Sequence, residues 1–379
     1  MIPRMRRGQQ QSSRTVRPAA YAVIMAGGQG TRFWPRSRRR LPKHLLCVSG
    51  RRTLLQETAH RLLPLFPWRR MLVVTNKEQA AEVRRQLPRV PSNQVLEEPV
   101  GRNTLGCIAL ASEWIAARDA DALMVALPAD HVIKDAAELR RTIRVACALA
   151  ARQRCLVTLG IAPQRAETGY GYIQIGLQIG TDGANAFWVR RFHEKPSAAA
   201  ARRYVSSGGY LWNSGMFIWQ VSAFRAALDR VAPQVSETLS GVWSSPRGVR
   251  QRLQRAYRAL PSVSVDVGVL QPLSVMRKDA PRIAVLRAQF DWNDVGSWVS
   301  LPEVWGCDAE GNAALGRTLA VDASGSIVYA PERLVALIGT KDLIVVDSPD
   351  ALLICARERA QDVRRITDLL KQRRWSRYL

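Results

Sequence analysis

The sequence predicts an α/β fold, a doubly wound and mostly parallel sheet with a small C-terminal β module. Two observations predict it. From Tyr21 to Ile161 short apolar runs alternate with longer amphipathic stretches, the rhythm of strand–helix units with helices on both faces of a sheet. Beyond about Thr318 the rhythm contracts to short apolar runs separated by turn residues, the pattern of a compact all-β unit.

The elements follow in order. Tyr21–Ala26 (YAVIMA) reads as a buried strand, and Leu54–Leu65 has helical spacing. Met71–Thr75 (MLVVT) is a second strand, followed by a polar helical stretch through Leu87. Arg102–Ala117 reads as a helix, Ala122–Leu127 (ALMVAL) as a strand, Ala136–Ala151 as a helix and Cys155–Ile161 as a strand. The middle is richer in extended chain, at Tyr170–Ile175, Phe187–Phe192 and Tyr210–Trp219, before a helix from Ser222. In the last part the expected strands are Ser326–Tyr329, Val335–Ile338, Leu343–Val346 and Leu352–Cys355. Val363, Ile366, Leu369 and Leu370 then mark a closing amphipathic helix. The expected division is a basic tail over 1–20, a main domain over 21–302 and the β module with its helix over 303–379.

Charge raises one rival early. Lys plus Arg is 56 against 31 acids, a formal +25, which brings nucleic-acid binding into consideration. Yet 49 of the 56 are Arg, spread along the chain without zinc-finger spacing, an RRM signature or interleaved aromatics. The excess reads as compositional bias, so no nucleic-acid partner is expected. The first twenty residues hold five Arg, no acid and no apolar core, so they are no secretory signal, although an organelle transit peptide shares that composition. No apolar run approaches the roughly 18 residues of a membrane span. Six Cys without a CxxC pair and four scattered His argue against a zinc site and for reduced thiols in the cytoplasm.

Directly after the first strand stands Ala26-Gly27-Gly28-Gln29-Gly30-Thr31-Arg32-Phe33-Trp34-Pro35-Arg36-Ser37-Arg38, with Pro42-Lys43 beyond a basic hinge. Glycines at a strand end let backbone N–H groups approach phosphates or a base edge. The run is neither a Walker loop nor GxGxxG, and a bare Gly-Gly-x-Gly reads as readily as an empty turn. What distinguishes it is the set of fixed cations that follows.

Residues 26–43 resemble the signature of the sugar-nucleotide pyrophosphorylases, and Phe-Trp-Pro-x-Ser-Arg is similar to the mannose-1-phosphate guanylyltransferase branch. The resemblance implies that Ala26, Gly27, Gly28, Gly30 and Thr31 cradle a nucleoside triphosphate. It also implies that Arg32 and Lys43 offset charge developing at the α-phosphoryl group and pyrophosphate. In a chain with seven Lys, a Lys at position 43 points independently to a need for a compact ammonium.

The other motifs extend the set. Asp130, in Leu127-Pro128-Ala129-Asp130-His131, stands at a strand's carboxyl end, where open α/β sheets bind ligands. Asp294 lies in Trp292-Asn293-Asp294-Val295-Gly296-Ser297-Trp298. The family likeness implies Mg²⁺ on these two Asp, a hard cation served by few carboxylates plus substrate phosphates. His131 is not read as a base. Glu98-Pro99-Val100-Gly101-Arg102-Asn103-Thr104 resembles the family segment near base and ribose, so Glu98 is the candidate guanine reader, with Asn103 and Thr104 beside it. Gly169 in Glu167-Thr168-Gly169-Tyr170, the pair Glu194-Lys195 before Pro196, and Asn213 in Trp212-Asn213-Ser214 are the implied sugar-phosphate contacts.

Two stretches depart from the family pattern. Leu105-Gly106 replaces Ala-Pro, and Ser264-Val265-Asp266-Val267-Gly268-Val269-Leu270-Gln271 lacks the usual Tyr, Met and Glu, which bears on sugar identity more than on reaction type. The implied reaction is attack by a sugar 1-phosphate, mannose 1-phosphate first, on the α-phosphorus of GTP, catalysed by positioning and charge neutralisation. Another sugar such as a heptose, or another base, would keep that chemistry. A non-catalytic nucleotide-sugar sensor is the rival from a different class. The β module is a possible homodimer contact.

Overall fold

A computed structural model describes residues 19–28, 30–180, 185–276 and 280–379. The expected basic tail lies outside the described residues except Ala19 and Ala20, and Ala20 already belongs to the first strand. A nine-stranded sheet forms the main body. Its strands are β1 (Ala20–Ala26), β2 (Met71–Asn76), β3 (Val95–Glu98), β4 (Leu123–Pro128), β5 (Leu156–Ile161), β6 (Tyr172–Ile179), β7 (Ala186–His193), β8 (Tyr210–Gln220) and β9 (Ile283–Arg287). Their spatial order is β3-β2-β1-β4-β8-β5-β9-β7-β6. Only β7 and β8 run against the others, as their antiparallel ladders with β9, β4 and β5 require.

The strand β1 shows why the sheet is covered on both sides. Tyr21 and Val23 point into one core, which holds helix Asn103–Ala116; Ala22, Ile24 and Ala26 point into the other, which holds helices Leu54–Leu62 and Ala136–Gln153. A strand buried on both faces reads as an unbroken apolar run, as YAVIMA does. Helix Leu54–Leu62 starts at a capping box in which Thr53 and Gln56 satisfy each other's backbone N–H groups. The carboxyl ends of β1 and β4 lie side by side, register pair Ile24–Leu127, so the glycine loop and Asp130 emerge from adjacent strands.

The C-terminal module is a four-stranded sheet, β10 (Ala313–Val321), β11 (Ile327–Ile338), β12 (Leu343–Ser348) and β13 (Ala351–Ala356). The two short strands expected at 326–329 and 335–338 are one strand, β11. The interruption is a bulge within it: from the pair Gly316–Ala330 to the pair Thr318–Val335 β10 advances two residues and β11 five, so the extra residues, Pro331 among them, lie in β11 opposite Gly316. Gly316 has φ +113°, and a Cβ there would lie 1.9 Å from the Ala330 carbonyl oxygen, so only glycine fits the bulge.

The module shares its core with the glycine loop. Phe33, Trp34, Leu46 and Trp298 pack with Ile327, Tyr329, Ile344, Val346 and, from the closing helix Val363–Gln372, Val363 and Leu370. Trp34 Nε1 donates to the Tyr378 carbonyl at 2.9 Å, and Trp298 Nε1 to the Trp34 carbonyl at 3.3 Å. Among the described residues no helix is long and apolar enough to cross a membrane.

Candidate active site

The loop after β1 turns at Gly30, which has φ +59°. A Cβ there would come 2.5 Å from the Cβ of Lys43 and 2.9 Å from its backbone N. Gly30 is therefore obligatory twice over, for its dihedral and for the close approach that seats Lys43. Thr31–Phe33 follows as one short 3₁₀ turn, its Phe33 buried and its Arg32 exposed. Among the described residues Arg32 has no side-chain partner, so its guanidinium remains available to a ligand.

Lys43 is only 6% exposed, and it braces the two aspartates. Its Nζ lies 2.8 Å from Asp130 Oδ2 and donates to the Asp294 backbone carbonyl at 2.6 Å. Burial by itself would raise the Asp130 carboxyl, but Lys43 and then His131 outweigh it and hold it at about 2. The two loops carrying the aspartates are clipped together by reciprocal backbone bonds between Val132 and Asn293, at 2.9 and 3.0 Å. Val295, immediately after Asp294, sits at φ +47°, a costly conformation for a β-branched residue. The Asn293 side chain helps hold it by accepting from the Val295 N–H at 2.7 Å. Tyr170 OH donates to Asp294 Oδ1 at 2.7 Å; burial, then the Asp294 charge, pushes that phenol upward.

His131 is neutral here. Burial pulls it down to about 4 against the pull of Asp130. Trp292 Nε1 donates to His131 Nδ1 at 3.1 Å, which leaves the proton on Nε2, 4.0 Å from Asp130 Oδ1. Among the described residues, Asp130 Oδ1 and Asp294 Oδ2 carry no hydrogen bond, the bonds of these carboxylates falling on their other oxygens. Two carboxylates with an open oxygen each, and no third metal-ligating side chain among the described residues, fit a hard cation whose remaining ligands come from substrate and water.

A second group lies on β6, β7 and β8. Glu194 follows the end of β7, and Gly171 faces it closely, since a Cβ on Gly171 would lie 2.8 Å from Glu194 Oε2. Lys195 comes next at φ +42°, with Nζ 3.9 Å from Glu194 Oε1. Burial, then the Asp266 charge, raises the Glu194 carboxyl to about 7, opposed only by Lys195. Asn213 is already committed: its Nδ2 donates to Asp266 Oδ1 at 2.7 Å, and its Oδ1 accepts from Thr158 Oγ1 at 3.1 Å. Asp266 starts a π-helical turn, Asp266–Leu270, an irregularity frequent at functional sites. Burial raises its carboxyl too. The Gly169 N–H is likewise engaged, donating to Glu167 Oε1 at 3.0 Å.

Glu98 lies beneath the glycine loop. It is 3% exposed, and a Cβ on Gly27 would come 3.2 Å from its Oε2. Burial raises this carboxyl to about 7 although Tyr257 OH donates to it at 3.3 Å. The Asn103 side chain, on a residue at φ +62°, accepts from the Thr104 N–H at 2.8 Å. Thr104 Oγ1 accepts from the Val265 N–H at 3.0 Å, tying this helix start to the segment that bears Asp266. Tyr170 joins the two groups: besides holding Asp294 it packs edge-on against Trp212 and Trp292, at 5.2 and 5.4 Å. These three rings border a cleft of about 530 Å³ that flanks the aspartates without containing them.

Asp266, Tyr170 and Gly171 are the site residues that motif reading passed over. Asp266 stands in a stretch noted only for its departures, and Tyr170 and Gly171 stand beside the Gly169 chosen as the contact.

Comparison with known proteins places the chain among its relatives. Residues 21–309 match the family described as Nucleotidyl transferase, and residues 316–370 match the MannoseP isomerase/GMP-like beta-helix domain. The xanthan biosynthesis protein XanB of Xanthomonas campestris pv. campestris is 39% identical over 92% of this chain and 73% of its own length. Mannose-1-phosphate guanylyltransferase of Klebsiella pneumoniae is 38% identical over 94% of this chain and 75% of its own. A crystal structure named mannose-1-phosphate geranyltransferase, from Thermus thermophilus, superposes with a TM-score of 0.81 at 34% identity, covering 93% of this chain and 99% of that one. With the signature loop, the paired aspartates and this kinship in agreement, the chain belongs to the nucleotidyl transferase family.

Proposed function

We propose that this enzyme transfers GMP from GTP to mannose 1-phosphate, releasing pyrophosphate. The observation that carries the reading is the brace of Lys43 between Asp130 and Asp294, seated by Gly30 at the end of β1. A phosphate monoester is ionised at neutral pH, so its oxygen attacks the α-phosphorus without a protein base, and the enzyme's work is positioning and charge neutralisation. Arg32 and Lys43 face the triphosphate, and the backbone of Gly27, Gly28 and Gly30 approaches it. Bound by Asp130 and Asp294, Mg²⁺ would draw charge from the phosphate oxygens. Glu98, which lies against Gly27, would be the acceptor for guanine N1–H and N2–H₂. On the sugar side Glu194 binds ring hydroxyls and Lys195 the phosphate, while Asn213 positions Asp266 rather than reaching the sugar. Relatives named mannose-1-phosphate guanylyltransferase, such as that of Escherichia coli K12 at 39% identity, support guanine and mannose.

The test is pyrophosphate release by the purified chain with Mg²⁺, across four nucleoside triphosphates and several sugar 1-phosphates. Release confined to GTP with mannose 1-phosphate is expected. GTP with a different sugar would replace mannose and leave the chemistry standing. Silence with every pair, despite nucleotide binding, would replace the enzyme with a sensor.

A further inference from the structure

Strand β7 carries a bulge where it meets β6. From the pair Gln174–Arg191 to the pair Ile175–Val189, β6 advances one residue and β7 two, so Arg190 is the extra residue. Regular alternation would send Arg190 and Arg191 to opposite faces of the sheet, and a bulge re-aims one of them. Gln174 pairs with Arg191 on one side and with Tyr210 of β8 on the other, which sets these three side chains on one face. Burial, then Tyr204, raises the Tyr210 phenol, while Arg190, Arg191 and Arg203 all pull it down, so three guanidinium groups act on one hydroxyl. Arg203 comes from helix Ala198–Ser207, which also stacks Tyr204 on Tyr210 with ring centres 4.1 Å apart. All three arginines are exposed, so their donors face solvent. The ion pairs on either side in the chain, Lys195–Glu194 and Arg225–Glu113, leave them without a carboxylate partner among the described residues. Like charges gathered in this way repel one another unless an anion sits among them. The cluster is not on the sugar side of the sheet. The next row of cross-strand neighbours, Phe192, Ile173 and Leu211, points into the core beneath the opposite face. Glu194 and Asn213 follow Phe192 and Leu211 two residues on, and so share that opposite face.

We propose that this face is a second ligand site, separate from the reaction site, where Arg190, Arg191 and Arg203 hold the phosphate group of a soluble phosphate monoester beside the Tyr210 hydroxyl. A monoester phosphate presents three free oxygens and close to two negative charges at neutral pH, one oxygen for each guanidinium. A single carboxylate offers two oxygens and one charge, and leaves an arginine unmatched. Guanidinium forks suit the tetrahedral group better than ammoniums would, and the cluster holds arginine at all three positions. The Tyr204–Tyr210 stack braces the hydroxyl and gives the rest of the ligand an apolar edge to lie against.

The experiment is calorimetric titration of inorganic phosphate into the full chain at fixed ionic strength and about pH 7.5, where the dianion prevails. Arg190→Gln, Arg191→Gln and Arg203→Gln should each weaken binding about 5–10-fold, and the triple variant should abolish it. Arg191→Lys should recover only part of its loss, because an ammonium lacks the fork. The melting temperature should not fall in any of these variants, since the positions are exposed and their mutual repulsion is relieved. As a control, Arg250→Gln/Arg255→Gln removes two exposed charges from helix Val249–Ala259, whose buried side joins the opposite core. That variant should bind phosphate within about twofold of the parent. Phosphate held at the reaction site would instead be lost on Lys195→Gln and untouched by the arginine variants, so failure of this proposal and failure of the transfer reading are told apart. Three results overturn the proposal: no phosphate binding, succinate bound as tightly as phosphate, or a triple variant whose affinity stays within about twofold of the parent. A loss as large in the Arg250→Gln/Arg255→Gln control also overturns it, by reducing the effect to net charge.

Discussion

The two halves of the site handle their carboxyl groups in opposite ways. On the nucleotide side Asp130 is held at about 2 because Lys43, and then His131, more than offset burial. On the sugar side Glu194 is raised to about 7, because burial and Asp266 act together against a single lysine 3.9 Å away. In the first half the Asp130 charge is matched by Lys43 before any ligand arrives, which presents a fixed, ionised carboxylate suited to a cation. The second is under-compensated, and in the proposed reading it would gain its balance when a phosphate engages Lys195 and ring hydroxyls engage Glu194. Rigid neutralisation where charge develops, and adjustable groups where a neutral ring is recognised, is the division that transition-state stabilisation favours.

Removing the brace breaks the contrast most severely. Lys43→Ala should lower kcat/KM by about 10³-fold or more, leaving the Asp130 carboxylate unpaired and the Asp294 backbone carbonyl without its donor. Lys43→Arg should recover little of it, since Gly30 closes on the Lys43 Cβ and the buried slot suits an ammonium rather than a fork. Asp294→Asn should cost about 10²-fold and raise the Mg²⁺ concentration needed for half-maximal rate. An unchanged metal requirement would remove Asp294 from the cation site.

The sugar half is sharpened by pH. The folded Glu194 carboxyl, at about 7, lies above its unfolded value, so the fold binds the extra proton between the two. Stability from this group is full below the unfolded value and falls as pH rises through about 7. Glu194→Gln should therefore gain roughly 1–3 kcal/mol in urea unfolding at about pH 8 relative to the parent, and nothing at about pH 4. Its KM for the sugar phosphate should rise while kcat changes less. Tyr170→Phe is the mildest: loss of one hydrogen bond to Asp294 should cost about 5–10-fold in kcat, with the fold intact by circular dichroism.

Much of this arrangement was legible in the sequence because it is local. A strand followed by Gly-Gly-x-Gly, and a strand ended by Pro-Ala-Asp, each declare a site position within one short stretch of chain. The side-chain partners were not legible, because they come from distant segments. Asn213 looked free for ring hydroxyls, yet its amide is bound to Asp266, 53 residues away. Tyr170 OH finds Asp294 across 124 residues, a pairing no spacing rule encodes. The two departures from the family pattern also prove to be one feature. A Cβ on Gly268 would lie 2.7 Å from Leu105 Cδ2, so the larger residue at 105 occupies room that glycine at 268 leaves. That exchange leaves Asp266 and its Asn213 bond in place. The long strand β11 was likewise hidden, because the stretch at Pro331 that looks like a break is a bulge of β11 itself, accommodated by Gly316 of its neighbour.

The central claim is a single direct displacement at the α-phosphorus by groups that position and neutralise without forming a bond to the nucleotide. It is tested most directly by supplying one diastereomer of the α-phosphorothioate of GTP with mannose 1-phosphate and assigning the configuration of the product. Inversion at phosphorus is the predicted result. Retention would contradict the account, since it requires two displacements and a covalent nucleotidyl-enzyme that neither half of this site is built to form.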